Sequence, residues 1–323
     1  MGKISRLSAF FRETVRRLNF ANLVVCFVLI LISYQFIYPL LRMISLSMMG
    51  QEDVINPIVN WIPQSLSFGN FRLAWWVLEP IVTIFNSIWF SGLLALAQTL
   101  VAATTGYALA RFAFPFKKFW FFMIIVLFIL PAPIVLIPQT MMVFSVQQTL
   151  GISLIGTAWP QLLMAIGGQG VFSAILILIF YNFTKMIPPA LDEAAAIDGA
   201  NAVQTFWHVI LKLSISTLLV VFLFSFVWNW NETYITQTFL RGQLQLVTIR
   251  LAAFEEQFRH LQVMGGGVIG GAAGEAMGEE GQRMTEALRM TGTLIAIFPL
   301  FVLYVAAQKQ FIKGIENTGL TGL

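Results

Sequence analysis

Six long apolar stretches, separated by polar segments, dominate the hydrophobic pattern of this 323-residue chain. A helix that crosses a bilayer needs about 20 mostly apolar residues, and each stretch is long enough to supply them. The pattern therefore predicts an all-α integral membrane protein. Its six transmembrane helices are predicted at residues 21–46, 81–110, 119–144, 158–182, 213–232 and 287–308.

The composition agrees with a membrane protein. Hydrophobic residues make up 58% of the chain and charged residues 11%, with a mean hydropathy of +0.80. A soluble domain is about 45–50% apolar and about 25% charged. The first apolar stretch is too long for a signal peptide and ends without a small-residue cleavage site, which favours an uncleaved first span. Cys26, the single cysteine, lies in this span, so the chain contains no disulfide framework.

Basic residues divide unequally between the two sides of the predicted membrane domain. One side comprises residues 1–20, 111–118, 183–212 and 309–323. It carries 12 of the 19 basic and 5 of the 15 acidic residues. Because basic residues gather on the cytoplasmic side, we expect a cytoplasmic N-terminal segment, a cytoplasmic 183–212 loop and a cytoplasmic tail. We interpret Arg111, Lys117 and Lys118 as determinants of this topology.

A long loop at residues 233–286 falls on the outer side. It contains a glycine-rich run at 265–274, followed by Glu275, Glu279 and Glu280. Glycine-rich composition predicts a flexible segment. The sequence does not specify its role.

A short polar helix is predicted at residues 191–199, between the fourth and fifth spans. Two prolines precede it and suit a first helical turn. Asp192 and Glu193 place negative charge near the positive end of the helix dipole. Three alanines then favour a helix of little bulk, and Gly199 can adopt the left-handed conformation that ends it. Such a protruding helix suits a groove on a partner protein.

Motifs for catalysis or metal binding are missing from the sequence. It contains no G-x-x-x-x-G-K-[ST] loop, so it should not hydrolyse ATP by that route. Its two histidines, His208 and His260, have no cysteine cluster beside them, which argues against a zinc site. We therefore expect no catalytic residue, no bound metal and no nucleic-acid partner.

Ionisable residues are nearly absent from the six spans. Secondary transporters usually carry such groups, or have glycine- or proline-broken helices in matching halves. Pro131, Pro133 and Pro138 interrupt the third span, but no other span mirrors them. This pattern argues against a secondary transporter, which is kept as the alternative from a different functional class.

A polar segment ends the fifth span on its outer side. It consists of Trp228, Asn229, Trp230, Asn231 and Glu232. Indole rings and amides can hold a sugar by stacking and hydrogen bonding. The same residues also suit an interfacial tryptophan anchor with hydrogen bonds between helices. The sequence leaves both interpretations open.

The segment Glu193-Ala194-Ala195, followed after three residues by Gly199, resembles the EAA loop of ABC importer permeases. Its surroundings at 187–200 resemble the MalG-like, carbohydrate-importing branch. Further similar segments are Asn86-Ser87, Tyr107-Ala108-Leu109-Ala110-Arg111, Ile137-Pro138, Trp228-Asn229 with Asn231-Glu232, and Gln308-Lys309-Gln310-Phe311-Ile312-Lys313-Gly314. Lys212 and Ser216 stand where the family has prolines. Without these, we expect the loop to run straight into the fifth span.

The resemblance implies a type I ABC importer permease in a bacterial or archaeal cytoplasmic membrane, surrounded by lipid. This chain is then one half of a pore whose other half is a MalF-like permease. Two ATP-binding subunits bind ATP and Mg, so the chain itself has no cofactor. An extracellular solute-binding protein delivers the substrate. The predicted substrate is a sugar or oligosaccharide, with a polyol or glycerol-phosphate-type solute as the alternative.

The resemblance also assigns residues. ATPase coupling is carried by a cytoplasmic EAA helix between the fourth and fifth spans, with Asp192, Glu193, Ala194, Ala195, Asp198 and Gly199. The best candidates for the substrate path are Trp228, Asn229, Trp230, Asn231 and Glu232. No motif identifies the substrate itself.

Overall fold

The computed structural model describes residues 20–56, 58–264 and 279–317, and the regular elements in these residues are helices. In chain order they are α1 (Phe20–Met48), α2 (Gln51–Ile55), α3 (Gly69–Leu78), α4 (Pro80–Arg111), α5 (Lys117–Ile129), α6 (Ala132–Leu150), α7 (Trp159–Ile166), α8 (Ser173–Met186), α9 (Ala190–Ile197), α10 (Ala202–Thr205), a π-helical turn (Phe206–Ile210), α11 (Leu211–Leu213), α12 (Ile215–Asn231), α13 (Tyr234–Leu240), α14 (Val247–Ala252), α15 (Phe254–Met264) and α16 (Glu279–Asn317). A smaller unit comprises described residues up to 74 and from 279 to 294, and the remainder forms a larger unit.

Three helices are long and apolar enough to cross a membrane unbroken. They are α1, α4 and α16, over Asn22–Met48, Pro80–Arg111 and Arg283–Lys309. Three bent helix pairs qualify as further candidates, with bends of 109° between α5 and α6, 75° between α8 and α9, and 82° between Ala202–Leu213 and α12. The described residues therefore contain three to six candidate spans by length and composition.

The span predicted at 119–144 is interrupted at its prolines, as the sequence indicates. The chain forms α5 and α6 there, and Pro131 between them is extended, with φ −67° and ψ 138°. Proline cannot donate a backbone hydrogen bond and restricts the residue before it to extended backbone, so Pro131 and Pro133 end one helix and begin the next. The helix predicted through 158–182 is also broken, between α7 and α8. Three glycines lie in this gap, and Gly168 adopts a φ of +74°.

The long loop predicted at 233–286 is helical over much of its described length. It contains α13, α14 and α15, and α16 already begins at Glu279 and continues to Asn317. The glycine-rich run at 265–274 lies outside the described residues. The predicted span and tail boundary at 308–309 therefore falls inside a single helix.

The expectation that the 183–212 loop runs straight into the fifth span is also wrong. The chain bends by 82° at Ser214, although the two family prolines are replaced here. Ser214 is buried, and its backbone N–H and hydroxyl both donate to the Ile210 carbonyl, at 3.0 and 2.5 Å. A serine that bonds back to the preceding turn competes with the regular helical pattern. Ser214 therefore ends α11 without a proline.

The helix α4 lies at the centre of the larger unit, where it packs on α8, α12, α7 and α14. Gly106 permits the close crossing of α4 and α8. A Cβ atom at this position would lie 2.8 Å from the Tyr181 backbone nitrogen and 3.0 Å from the Phe180 Cβ. The apolar cluster beside this crossing contains Ala102, Leu109, Leu176, Ile177 and Val221.

The smaller unit has its own core. Leu46, Met49 and Val54 pack on Met284 and Ala287 of α16. The Asn70 side chain donates to the Leu46 and Met49 carbonyls at 3.1 and 2.9 Å. These bonds satisfy carbonyls at the end of α1, where a helix leaves its last acceptors unpaired.

Candidate functional site

A short helix, α9 (Ala190–Ile197), forms where the polar helix is predicted, at 191–199. Pro189 precedes its first residue, and both acidic residues lie in its first turn. Gly199 adopts a φ of +83°, which is unfavourable for residues with a Cβ. The Ala200 backbone N–H donates to the Ala195 carbonyl at 2.9 Å and the Gly199 N–H to Ala196 at 3.0 Å. These bonds satisfy the last carbonyls of α9, as expected for a glycine-terminated helix.

Asp192 is held by two side chains from the last turns of α4. The Tyr107 hydroxyl donates to its Oδ1 at 3.1 Å. The Arg111 Nε lies 2.8 Å from its Oδ2, an ion pair whose angle does not meet hydrogen-bond geometry. The Arg111 Nη2 also donates to the Ile187 carbonyl at 2.6 Å. With exposed fractions of 12% for Arg111 and 22% for Asp192, this ion pair is largely shielded from solvent.

An apolar cluster lies behind these polar contacts. The Tyr107 ring packs 5.2 Å from Phe206 and 5.6 Å from Phe112, centroid to centroid. Tyr107 and Phe206 belong to a buried cluster, and its other members are Ala103, Phe180, Phe183, Ile187 and Ile210. Ala195 is the one buried residue of α9, and it lies one turn after Asp192 on the same face. The inner face of α9 is therefore fixed against α4.

The other residues that the sequence assigns to ATPase coupling are exposed. These are Glu193, Ala194, Asp198 and Gly199. Ile197 joins them with 86% of its surface exposed, the largest value among the exposed large hydrophobic residues described. We call Glu193, Ala194, Ile197, Asp198 and Gly199 the docking face. The sequence analysis missed Ile197, because an apolar residue in an amphipathic helix ordinarily indicates burial.

The amides and rings of the 228–232 segment occupy different environments. Asn229 is buried, and its Nδ2 donates to the Gln98 Oε1 and the Ser225 carbonyl, both at 2.8 Å. Trp230 is buried against Phe226, at a ring distance of 5.8 Å. These two side chains fit the alternative of bonding and packing between helices.

The other three residues of the segment are more accessible. Trp228 is half-buried between Phe224 and Phe172, at ring distances of 5.4 and 4.9 Å. Asn231 is exposed, and its amide donates back to the Val227 carbonyl. The Glu232 Oε1 accepts from the Ile235 N–H at 2.8 Å, and Glu232 also lines a cavity. Their assignment to a substrate path stays a prediction.

The cavity beside Glu232 has a volume of about 140 Å³. Gln139 and Gln169 line it, and the Gln139 Nε2 donates to the Gln169 Oε1 at 3.4 Å. Both glutamines also line a smaller neighbouring cavity, together with Gln161 and Asn229. The sequence analysis missed these glutamines. The sequence feature that could have identified them is a glutamine inside an apolar stretch. An amide side chain is costly in a membrane unless it finds a hydrogen-bonding partner.

Gln98 is a second missed residue, and it joins three parts of the larger unit. Its Oε1 accepts from the Asn229 Nδ2 and from the Ser225 hydroxyl. Its Nε2 donates to the Val171 carbonyl and the Ser173 hydroxyl, both at 3.2 Å. This buried amide therefore has partners on α12, on α8 and in the segment that breaks the fourth predicted span.

Replacing Gln98 with alanine is expected to destabilise the larger unit. The change leaves buried partners without hydrogen bonds, which costs about 1–3 kcal/mol. Thermal unfolding of the purified chain in detergent measures the loss. Thr104→Ala is the control, because Thr104 is an exposed residue of the same helix that bonds only within that helix. Equal unfolding temperatures for the two variants would contradict the assigned role.

No three histidine, cysteine, aspartate or glutamate side chains converge as metal ligands within the described ranges. The absence of a metal site in the whole chain stays a prediction.

Comparison with known proteins assigns the family. Residues 98–317 match the family described as the binding-protein-dependent transport system inner membrane component. The chain belongs to this family. It is 25% identical over 265 residues to the melibiose/raffinose/stachyose import permease MelC of Bacillus subtilis, covering 81% of this chain and 84% of MelC. It is 30% identical over 149 residues to the sn-glycerol-3-phosphate permease UgpE of Yersinia enterocolitica, covering 46% and 49%.

The fold comparison agrees with the family. A bacterial ABC transporter involved in the import of the acidic polysaccharide alginate superposes with a TM-score of 0.65 at 19% identity, covering 90% of this chain and 96% of that chain. The chain therefore has the type I ABC permease fold that the resemblance predicted. It is a membrane-embedded permease component that works with other ABC components, and it is not the catalytic subunit.

Proposed function

We propose that this permease forms one half of the pore of a sugar or oligosaccharide importer and is driven through the docking face of α9. The observation that carries the proposal is a short helix whose inner face is fixed to α4 while its outer face is exposed. An exposed apolar residue rimmed by acidic and small residues suits burial in a partner's groove. The partner on this face is one of two ATP-binding subunits, which hold ATP and Mg.

The proposed complex has three further components. A MalF-like permease supplies the other half of the pore, and an extracellular solute-binding protein delivers the substrate. Both termini and α9 lie in the cytoplasm, because 12 of the 19 basic residues fall on that side. ATP binds the two conformations of the complex with different affinities and thereby shifts the pore between inward-facing and outward-facing states.

The chemistry of the cavity favours a neutral sugar over a phosphorylated solute. Gln139 and Gln169 offer amide donors and acceptors suited to hydroxyl groups. Glu232 can accept from a hydroxyl but repels a phosphate, since like charges in a site of low polarity are unfavourable. Trp228 packs on Phe172, which lines the cavity, and so extends the aromatic surface beside it. A glycerol-phosphate-type solute remains the second candidate because of the similarity to UgpE.

Affinity purification of the tagged permease from native membranes tests the proposal. We expect an ATP-binding protein, a second permease and a solute-binding protein to copurify. A calorimetric screen of that binding protein against neutral oligosaccharides, polyols and glycerol phosphates then identifies the substrate class. Recovery of the chain alone after mild solubilisation would contradict the proposed complex and favour a secondary transporter. Preferential binding of a glycerol phosphate would overturn the sugar assignment only.

A further inference from the structure

We infer that Arg111 and Asp192 form a strut that transmits the movement of α9 to the pore, and that Asp192 does not contact the ATPase. The inference rests on the proposed function. It assigns different roles to Asp192 and Glu193, the two acidic residues in the first turn of α9. Glu193 is exposed on the docking face, whereas the carboxylate of Asp192 is turned toward α4.

Two side chains of α4 engage the carboxylate of Asp192. Both carboxylate oxygens of Asp192 are engaged, Oδ1 by the Tyr107 hydroxyl and Oδ2 by Arg111. Tyr107 and Arg111 lie one turn apart on α4 and therefore face the same direction. Because Oδ2 is buried against Arg111, an ATPase residue could reach this oxygen only by displacing Arg111.

Arg111 contacts the chain both before and after the two prolines that lead into α9. Its Nη2 holds the Ile187 carbonyl and its Nε holds Asp192, so the two prolines between them are spanned by a single guanidinium. Proline fixes its own φ and restricts the residue before it, which makes this connection stiff. A stiff entry clamped at both ends resists independent rotation of α9. Arg111 is thus a positioning residue for coupling, in addition to its contribution to topology.

The strut connects α9 to the helix that carries the Gln98 network. Arg111 and Gln98 lie at the two ends of a continuous segment of α4, about 20 Å apart at 1.5 Å per residue. Gln98 contacts α12 and the segment beside the cavity. A displacement of α9 is therefore delivered to a helix that contacts both the segment beside the cavity and the end of α12. Arg111 and Tyr107 are the two side chains of α4 that engage the Asp192 carboxylate in the described part of the chain.

Charge exchange in the reconstituted complex tests the inference. The variants are Arg111→Asp, Asp192→Arg and the double variant that carries both changes. They are assembled with the permease partner, the ATPase and the binding protein in proteoliposomes. The readouts are ATPase retained on the tagged permease, the rate of ATP hydrolysis, and substrate transported per ATP hydrolysed.

Each single variant is expected to retain the ATPase but to transport about tenfold less substrate per ATP, a loss in the range of site-to-site coupling. The double variant restores the opposite charges and is expected to recover most of that ratio. Asp192→Asn keeps the shape and an acceptor for Tyr107, so its defect should be smaller than that of Asp192→Arg. Glu193→Gln is the matched control, because it changes the neighbouring carboxylate and should weaken ATPase retention instead.

Three results would overturn the strut. One is loss of ATPase from the Asp192→Asn permease, which would make Asp192 a docking contact. A second is an unchanged transport ratio in both single variants. A third is failure of the double variant to exceed either single variant while all three fold and assemble. If the unaltered permease retains no ATPase, the proposed function itself fails, and this outcome is visible before any variant is compared.

Discussion

Replacing Ile197 with aspartate is expected to remove the ATPase from the permease and to abolish transport. Ile197 is 86% exposed, so the substitution should leave the folded permease intact. In the complex, the side chain would be buried at the centre of the docking face, where truncating an anchor costs about 2 kcal/mol or more. A charge left unpaired in that groove adds a desolvation cost. Affinity should fall by about 30-fold or more.

Binding of the purified ATPase to the immobilised permease measures this effect. Ile62→Asp is the matched control, because Ile62 is 82% exposed and belongs to the smaller unit, whereas α9 belongs to the larger unit. We expect the control to bind the ATPase like the unaltered permease. Equal binding by both variants would mean that Ile197 does not contact the ATPase and would place the docking surface elsewhere.

Ile197 and α9 show which structural features local sequence patterns predict and which they do not. The helix α9 could be predicted, because prolines, acidic residues, alanines and Gly199 act within a few residues of one another. The exposure of Ile197 could not be predicted, since it depends on how α9 is oriented by Tyr107 and Arg111. Those residues are 85 and 81 positions before Asp192 in the chain, and their contacts are the product of folding.

The membrane spans likewise combine features that the sequence predicts with features that it does not. The helices α1, α4 and α16 follow directly from long apolar stretches, and the prolines of the third stretch predict its interruption. The bend at Ser214 was not predicted, because a serine can either continue a helix or bond back to the preceding turn. The Gln98 network was equally hidden. Its partners lie 73 to 131 positions away, and a lone amide in an apolar stretch does not identify them.

Gly106→Ala is expected to destabilise the larger unit. The added Cβ would lie 2.8 Å from the Tyr181 backbone nitrogen and 3.1 Å from the Ile177 carbonyl oxygen. Backbone atoms of a packed helix cannot move aside as a flexible side chain can, so α4 and α8 must separate. Overpacking of this kind typically costs about 1–3 kcal/mol and occasionally more. The loss should exceed the gain of about 1 kcal/mol in helix propensity that alanine brings.

Gly92→Ala on the same helix provides the control for that prediction. A Cβ at Gly92 would lie 4.0 Å from the Phe226 Cε2, an ordinary packing distance. This variant should therefore be neutral or slightly stabilising, although it has the same chemistry and the same effect on helix propensity. The yield of monodisperse permease and its unfolding temperature in detergent compare the two. If Gly106→Ala matched Gly92→Ala, α4 and α8 could not cross as closely as the structure places them. The path from Arg111 through α4 to the cavity would then lose its rigid support.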